Sequence, residues 1–159
     1  MGPVVNKSSY ADFKGFCEEL HDAGTILTGG KVLTEGKYSK GYFCAPTLAE
    51  LPYSHRLWKH EMFVPITTIG KFTDLDEAMR MANDVNYGLT AGFYGSQDEA
   101  KWFFENIEAG VTYANRPQGA TTGAWPGFQP FGGWKGSGSS GKNAGGLHYL
   151  QLYMHEQIH

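Results

Sequence analysis

Residues 63–115 read FVPITTIGKFTDLDEAMRMANDVNYGLTAGFYGSQDEAKWFFENIEAGVTYAN. Phe63–Gly70, Leu89–Tyr94 and Val111–Asn115 are short runs rich in β-branched and aromatic residues, the composition of strands. Between them stand two helix signals. Thr73-Asp-Leu-Asp76 opens a stripe of Leu75, Ala78, Met79 and Ala82. Ser96-Gln-Asp-Glu99 forms a capping box before Ala100, Phe103, Phe104 and Ile107, and Gly110 supplies the stop. The order β-α-β-α-β with short connections predicts an α/β fold, an open parallel sheet with flanking helices.

Working outward, Ser9-Tyr-Ala-Asp12 reads as a further capping box. Tyr10, Phe13, Cys17 and Leu20 follow on one helical face, and Gly24 ends the run. Thr25–Thr28 is another strand. After Asn115 the pattern changes. Residues 116–146 are rich in glycine and read as loop, and Leu147–Tyr153 returns as a strand with apolar residues on both faces. Such a strand needs a cover, and docking on another domain or subunit is expected. The chain divides on this reading into 1–115, 116–146 and 147–159.

The 159 residues suffice for a domain with its own core, and 41% hydrophobic against 18% charged residues excludes a disordered chain. Net charge is −3, and Lys and Arg are scattered singly, which argues against a nucleic-acid partner. The apolar runs are short for a membrane span and no signal peptide opens the chain. Two cysteines, without Cys-x-x-Cys spacing, fit a reducing compartment, so a cytoplasmic protein is expected.

Thr121–Gly138, TTGAWPGFQPFGGWKGSG, holds no charge before Lys135. Gly and Pro bar a regular helix, and four large aromatics distinguish it from a solvated linker. The segment either lines a pocket or covers a core edge. Gly136-Ser-Gly138-Ser-Ser-Gly141 matches GxGxxG, and Gly136–Lys142 matches GxxxxGK. Neither has a preceding buried strand, and Asn143 stands where a Mg²⁺-holding Ser or Thr belongs, so both phosphate-cradle readings fail.

The six histidines show no metal-ligand spacing, and no metal site is expected. Cys17 lies on the apolar stripe of the first helix and reads as a structural thiol; Cys44 has no base beside it in sequence. Glu61 precedes an aromatic and an apolar strand. A carboxylate there either accepts from ligand hydroxyls or is a solvated surface group.

Four segments occur in one order: Glu61-Met-Phe63-Val-Pro65, Tyr87-Gly-Leu-Thr-Ala-Gly92, Gly110-Val-Thr-Tyr-Ala-Asn115 and Pro130-Phe-Gly-Gly-Trp-Lys-Gly-Ser-Gly138. Gly2-Pro-Val-Val-Asn6, Gly29-Gly30 and Gly41-Tyr-Phe-Cys-Ala-Pro-Thr47 precede them. This series resembles the C-terminal part of the NAD(P)-dependent aldehyde dehydrogenase superfamily, over essentially the whole chain. Thr122-Gly-Ala124 through Gln129-Pro-Phe131 is most similar to the 1-pyrroline-5-carboxylate dehydrogenase branch, whose members oxidise glutamate semialdehyde to glutamate in proline breakdown.

The resemblance implies roles. Glu61 would hydrogen-bond the nicotinamide-ribose hydroxyls of NAD or NADP, and Phe63 would pack by the nicotinamide. Backbone N–H groups of Gly123 and Ala124 would hold the far carboxylate of the aldehyde, and Phe131 would wall its aliphatic chain. Paired backbone donors in a Gly-rich turn do form an anion site without a cation. Residues 1–115 would be part of the catalytic domain, 116–146 the substrate-anchor region, and 147–159 an oligomerisation strand and tail. Val64 departs from the glycine of many members.

The family reaction needs a cysteine thiolate, a glutamate general base and a Rossmann cofactor domain. The resemblance puts these upstream, so no catalytic residue is expected here and the chain alone is expected to be inactive. It implies a homo-oligomer or a complex with an N-terminal dehydrogenase segment. The alternative is a non-catalytic ligand-binding or oligomerisation module that kept the fold.

Overall fold

The computed structural model describes residues 1–116, 130–138 and 144–159. Two compact units divide the chain, Met1–Lys71 and Phe72–His159. The predicted Gly123 and Ala124 lie outside the described residues.

In the first unit, helix α1 spans Lys7–Ala23. Its cap is Asn6, whose side-chain oxygen accepts from the Ser9 N–H at 2.8 Å. The expected capping box at Ser9 is therefore corrected to a start three residues earlier, since the Asn6 carbonyl oxygen satisfies an orphan donor of the first turn. The predicted stripe buries Phe13, Cys17 and Leu20, and the Gly24 N–H closes the helix on the Leu20 carbonyl at 3.0 Å.

Strands β1 (Thr25–Thr28), β2 (Val32–Leu33), β3 (Phe43–Cys44), β4 (Thr47–Glu50) and β5 (Ile66–Ile69) follow. A three-stranded sheet runs β1-β4-β5, with β1 antiparallel and β5 parallel to the central β4. Leu20, Ala49, Leu51 and Leu57 form one buried cluster; Phe13, Cys17 and Cys44 form another. Gly29 takes φ +81°, and a Cβ there would lie 2.1 Å from the Pro46 carbonyl oxygen, so only glycine fits.

The second unit holds α2 (Leu75–Asn83), β6 (Tyr87–Gly88), β7 (Thr90–Phe93), α3 (Gln97–Asn106), β8 (Val111–Ala114) and β9 (Trp134–Lys135). The predicted capping box at Ser96 and Glu99 is present in full. α3 carries the chain from β7 to a parallel β8, the crossover that the sequence implies. Phe103, Ile107 and Ala109 form the buried cluster, with Met79, Ala91, Phe93 and Trp102 against it. Phe104, expected inward, is 48% exposed.

Two further expectations are corrected. The runs over 63–115 do not join one ladder: β5 pairs with β4, and β7 pairs with β8. Leu147–Tyr153 is a turn followed by a 3₁₀ helix over Leu150–Tyr153, where a strand was expected. A strand exists only through a partner's hydrogen bonds, and this segment takes local i to i+3 bonds instead, such as Leu152 N–H to the Tyr149 carbonyl at 3.2 Å.

Candidate functional site

The segment carrying Glu61 and Phe63 leaves a 3₁₀ turn, Arg56–Trp58, and enters β5. That turn is held on several sides. The His55 ring nitrogen Nδ1 accepts from the Leu57 N–H at 3.3 Å. Leu57 is buried in the core, and the Trp58 indole donates to the Leu51 carbonyl at 3.1 Å. Arg56 donates to both carboxylate oxygens of Glu19 on α1, at 2.7 and 2.5 Å, and its guanidinium lies 5.9 Å from the Phe16 ring centre.

Beyond the turn, side chains alternate. Met62 packs against the Leu20 cluster and Val64 against the Phe13 cluster. Phe63 between them is 84% exposed, on a left-handed backbone with φ +54°. Two apolar side chains two residues apart that both pack inward leave the residue between them facing outward. The left-handed conformation costs a bulky residue on the order of 1–2 kcal/mol, and such outliers collect at functional sites. Glu61, also exposed, shares this short segment. Together they offer a carboxylate acceptor and an uncovered aromatic face, a set that suits a ligand bearing hydroxyls and a flat ring. Val64, the departure from the familiar glycine, is a core contact here.

Phe131 lies in the second unit and is half-buried. Its N–H donates to the Ala144 carbonyl at 2.7 Å and its carbonyl accepts from the Ala144 N–H at 3.2 Å. Gly132 and Gly133 behind it are buried. The turn is clasped closely: a Cβ on Gly110 would fall 1.7 Å from the Gly132 carbonyl oxygen. The Gly136 N–H donates to the Asn86 carbonyl at 2.9 Å, and the Ser137 hydroxyl accepts from the Gly88 N–H at 3.1 Å.

Cys17 and Cys44 are free and buried. Burial, above all, raises both thiols from their ordinary value, and for Cys17 the neighbouring Cys44 adds to the effect. Thiols held protonated in a core make poor nucleophiles. A cleft of about 660 Å³ in the first unit is lined by residues of α1 and of Ile26–Val32, and contains neither Glu61 nor Phe63. Among the described residues no helix is long and apolar enough to cross a membrane.

Two features escaped sequence reasoning. Lys135 adopts φ +52° and its ammonium meets the Glu108 carboxylate at 2.6 Å and the Asn83 carbonyl. Asn115 adopts φ +51° and exchanges two side-chain hydrogen bonds with the Gly95 backbone, at 3.0 and 2.9 Å. The only signal for the second was an Asn at the end of a strand, a residue type tolerated in the left-handed region.

Residues 1–158 match the family described as the aldehyde dehydrogenase family. The 1-pyrroline-5-carboxylate dehydrogenase of Bacillus licheniformis is 38% identical over 156 residues, which is 97% of this chain and 29% of that protein. The 1-pyrroline-5-carboxylate dehydrogenase 2 of Bacillus subtilis is equally similar. Among solved structures, 1-pyrroline-5-carboxylate dehydrogenase from Thermus with bound NAD aligns at TM-score 0.84 and 37% identity, over 96% of this chain and 28% of that one. Lactaldehyde dehydrogenase from Escherichia coli aligns at TM-score 0.81 and 29% identity, over 99% of this chain and 31% of that one. The chain thus spans less than a third of the length of these relatives.

Proposed function

This chain belongs to the aldehyde dehydrogenase family, and on that premise we propose that it is the C-terminal segment of an enzyme oxidising a carboxylate-bearing aldehyde, glutamate semialdehyde, to the acid. The observation that carries the reading is Phe63, held outward on a strained backbone two residues from an exposed carboxylate, inside the matched segment. NAD or NADP, when bound, supplies the hydride acceptor for such an oxidation. In this chain Glu61 accepts from the ribose hydroxyls and orients the cofactor, and Phe63 shields one face of the nicotinamide. Gly123 and Ala124 present backbone N–H groups to the substrate's far carboxylate, and Phe131 flanks its aliphatic chain.

The attacking cysteine comes from another segment, because both cysteines here are buried and held as thiols; the general base is assigned to that segment with it, as the family resemblance implies. Leu147, Leu150 and Ile158 are 94, 74 and 98% exposed, which supports docking of the C-terminal stretch on another segment or subunit. The same exposure is equally expected of the second reading, an oligomerisation module without catalysis.

The test has two arms. NAD titrated into the isotope-labelled chain, mixed with a dehydrogenase segment that carries the cofactor domain, should shift the amides of Met62, Phe63 and Val64. Mixing the chain with a dehydrogenase segment that carries the nucleophile should give NADH from glutamate semialdehyde, where each part alone gives none. Unmoved amides together with a silent mixture would overturn the enzyme reading and leave the module.

A further inference from the structure

Lys135 is the first charged residue of the aromatic loop, and a loop proposed to grip a carboxylate invites the idea that this ammonium does the gripping. The geometry gives it other work. Its side chain is only 23% exposed, lies 2.6 Å from a Glu108 carboxylate oxygen and donates to the Asn83 carbonyl. Asn83 ends α2, and its side chain in turn bridges the Asn106 carbonyl and the Glu108 N–H, both at 2.9 Å. One ammonium therefore ties three places together: the loop, the end of α2 and the residues following α3.

We propose that Lys135 is a positioning residue, which fixes the 132–137 turn and thereby the stance of Phe131, and that it does not bind the substrate's carboxylate. The functional consequence rests on the reading of Phe131 as a substrate wall; the tether itself does not. Between Phe131 and Trp134 stand only Gly132 and Gly133, which bring no side chain to anchor the turn. Among the described residues that follow, Lys135 and Ser137 supply side-chain anchors, and of these two Lys135 is the ionic one. Its backbone sits at φ +52°, a conformation unfavourable for lysine, so the tether is kept against a local cost.

Hydrogen exchange at the Phe131 and Ala144 amides of the 159-residue chain tests this directly. Lys135→Met and Glu108→Gln should each speed exchange at both amides on the order of tenfold, while Thr112 and Tyr113 in β8 change less than about twofold. Lys135→Arg, which keeps the charge and the donors, should stay near wild type. Unchanged Phe131 and Ala144 exchange in both variants would overturn the proposal. So would a uniform rise through β8 and α3, the mark of a contact that merely adds stability. If Lys135→Met does not fold, Glu108→Gln carries the comparison, since it leaves the loop's own residues intact. Free glutamate serves as the substrate probe. In wild type it should slow Phe131 exchange; in Lys135→Met it should still do so, at a several-fold higher half-saturating concentration. Complete loss in Lys135→Met, while Glu108→Gln loosens the same tether and keeps the glutamate effect, would make Lys135 the anion contact and overturn the proposal. No glutamate effect in wild type would sink the substrate reading, and the tether would then be judged on the unliganded exchange alone.

Discussion

Arg56 and Glu19 form a two-point pair, Nε to Oε1 at 2.7 Å and a terminal nitrogen to Oε2 at 2.5 Å, linking α1 to the turn that precedes Glu61. The His55 Nε2 stands 3.5 Å from the same carboxylate. Fork-to-fork geometry lifts such a pair above the ordinary exposed salt bridge, although Arg56 is 56% exposed. Arg56→Met should therefore cost about 1 kcal/mol, read as a lower urea midpoint at unchanged slope. In a double-mutant cycle with Glu19→Gln, the second substitution should cost markedly less than it does alone. Strict additivity would show that the pair contributes nothing.

Asn115 gives an ordering of variants. Its amide exchanges two hydrogen bonds with the Gly95 backbone from a left-handed conformation. Asn115→Gly keeps the conformation and loses the bonds. Asn115→Ala loses the bonds and adds strain of about 1 kcal/mol. Stability should fall in the order Asn, Gly, Ala, with Ala about 2 kcal/mol below wild type by urea unfolding. Ala above Gly would contradict the described backbone.

Legibility tracked how local each signal was. Ser96 and Glu99 satisfy each other within one turn, so α3 could be read directly. The stripe of α1 was equally plain, yet its start belonged to Asn6, because several polar residues near a helix start compete to cap it. The alternation of Leu147–Tyr153 said which faces a strand would have, but nothing in those residues provides the partner that a strand requires. At the candidate site, Glu61 and Phe63 were reached through an ordered series of motifs. The left-handed backbone of Phe63 was invisible, since it follows from the two different clusters that take Met62 and Val64.

The thiols predict a pH dependence. Burial raises Cys17 and Cys44 above the ordinary 9.0, so the folded chain keeps protons that the unfolded chain releases. Their contribution to stability is fully present below pH 9 and is lost as pH rises through the folded-state values. The urea midpoint should fall with alkaline pH more steeply in wild type than in Cys17→Ala/Cys44→Ala. Iodoacetamide at pH 8 should modify the native chain far more slowly than the unfolded one. Equal rates would mean that the thiols are open to solvent.

Phe63 sets stability against ligand affinity. Its ring is 84% exposed, so removing it forfeits little burial, while its backbone at φ +54° suits glycine. Phe63→Gly relieves strain of about 1–2 kcal/mol, and the added freedom of the unfolded chain offsets about 0.5–1 kcal/mol of that gain. The variant should thus be as stable as wild type or up to about 1.5 kcal/mol more stable. Phe63→Ala keeps the strain and should gain nothing. If the ring faces the nicotinamide, both variants should bind NAD several-fold more weakly in the same titration, because stacking area is lost in each. A more stable Phe63→Gly chain with weakened NAD binding would identify a strain retained for the cofactor. Undiminished NAD binding in both variants would remove Phe63 from the site, and a less stable glycine variant would show that the ring has a packing role in the fold.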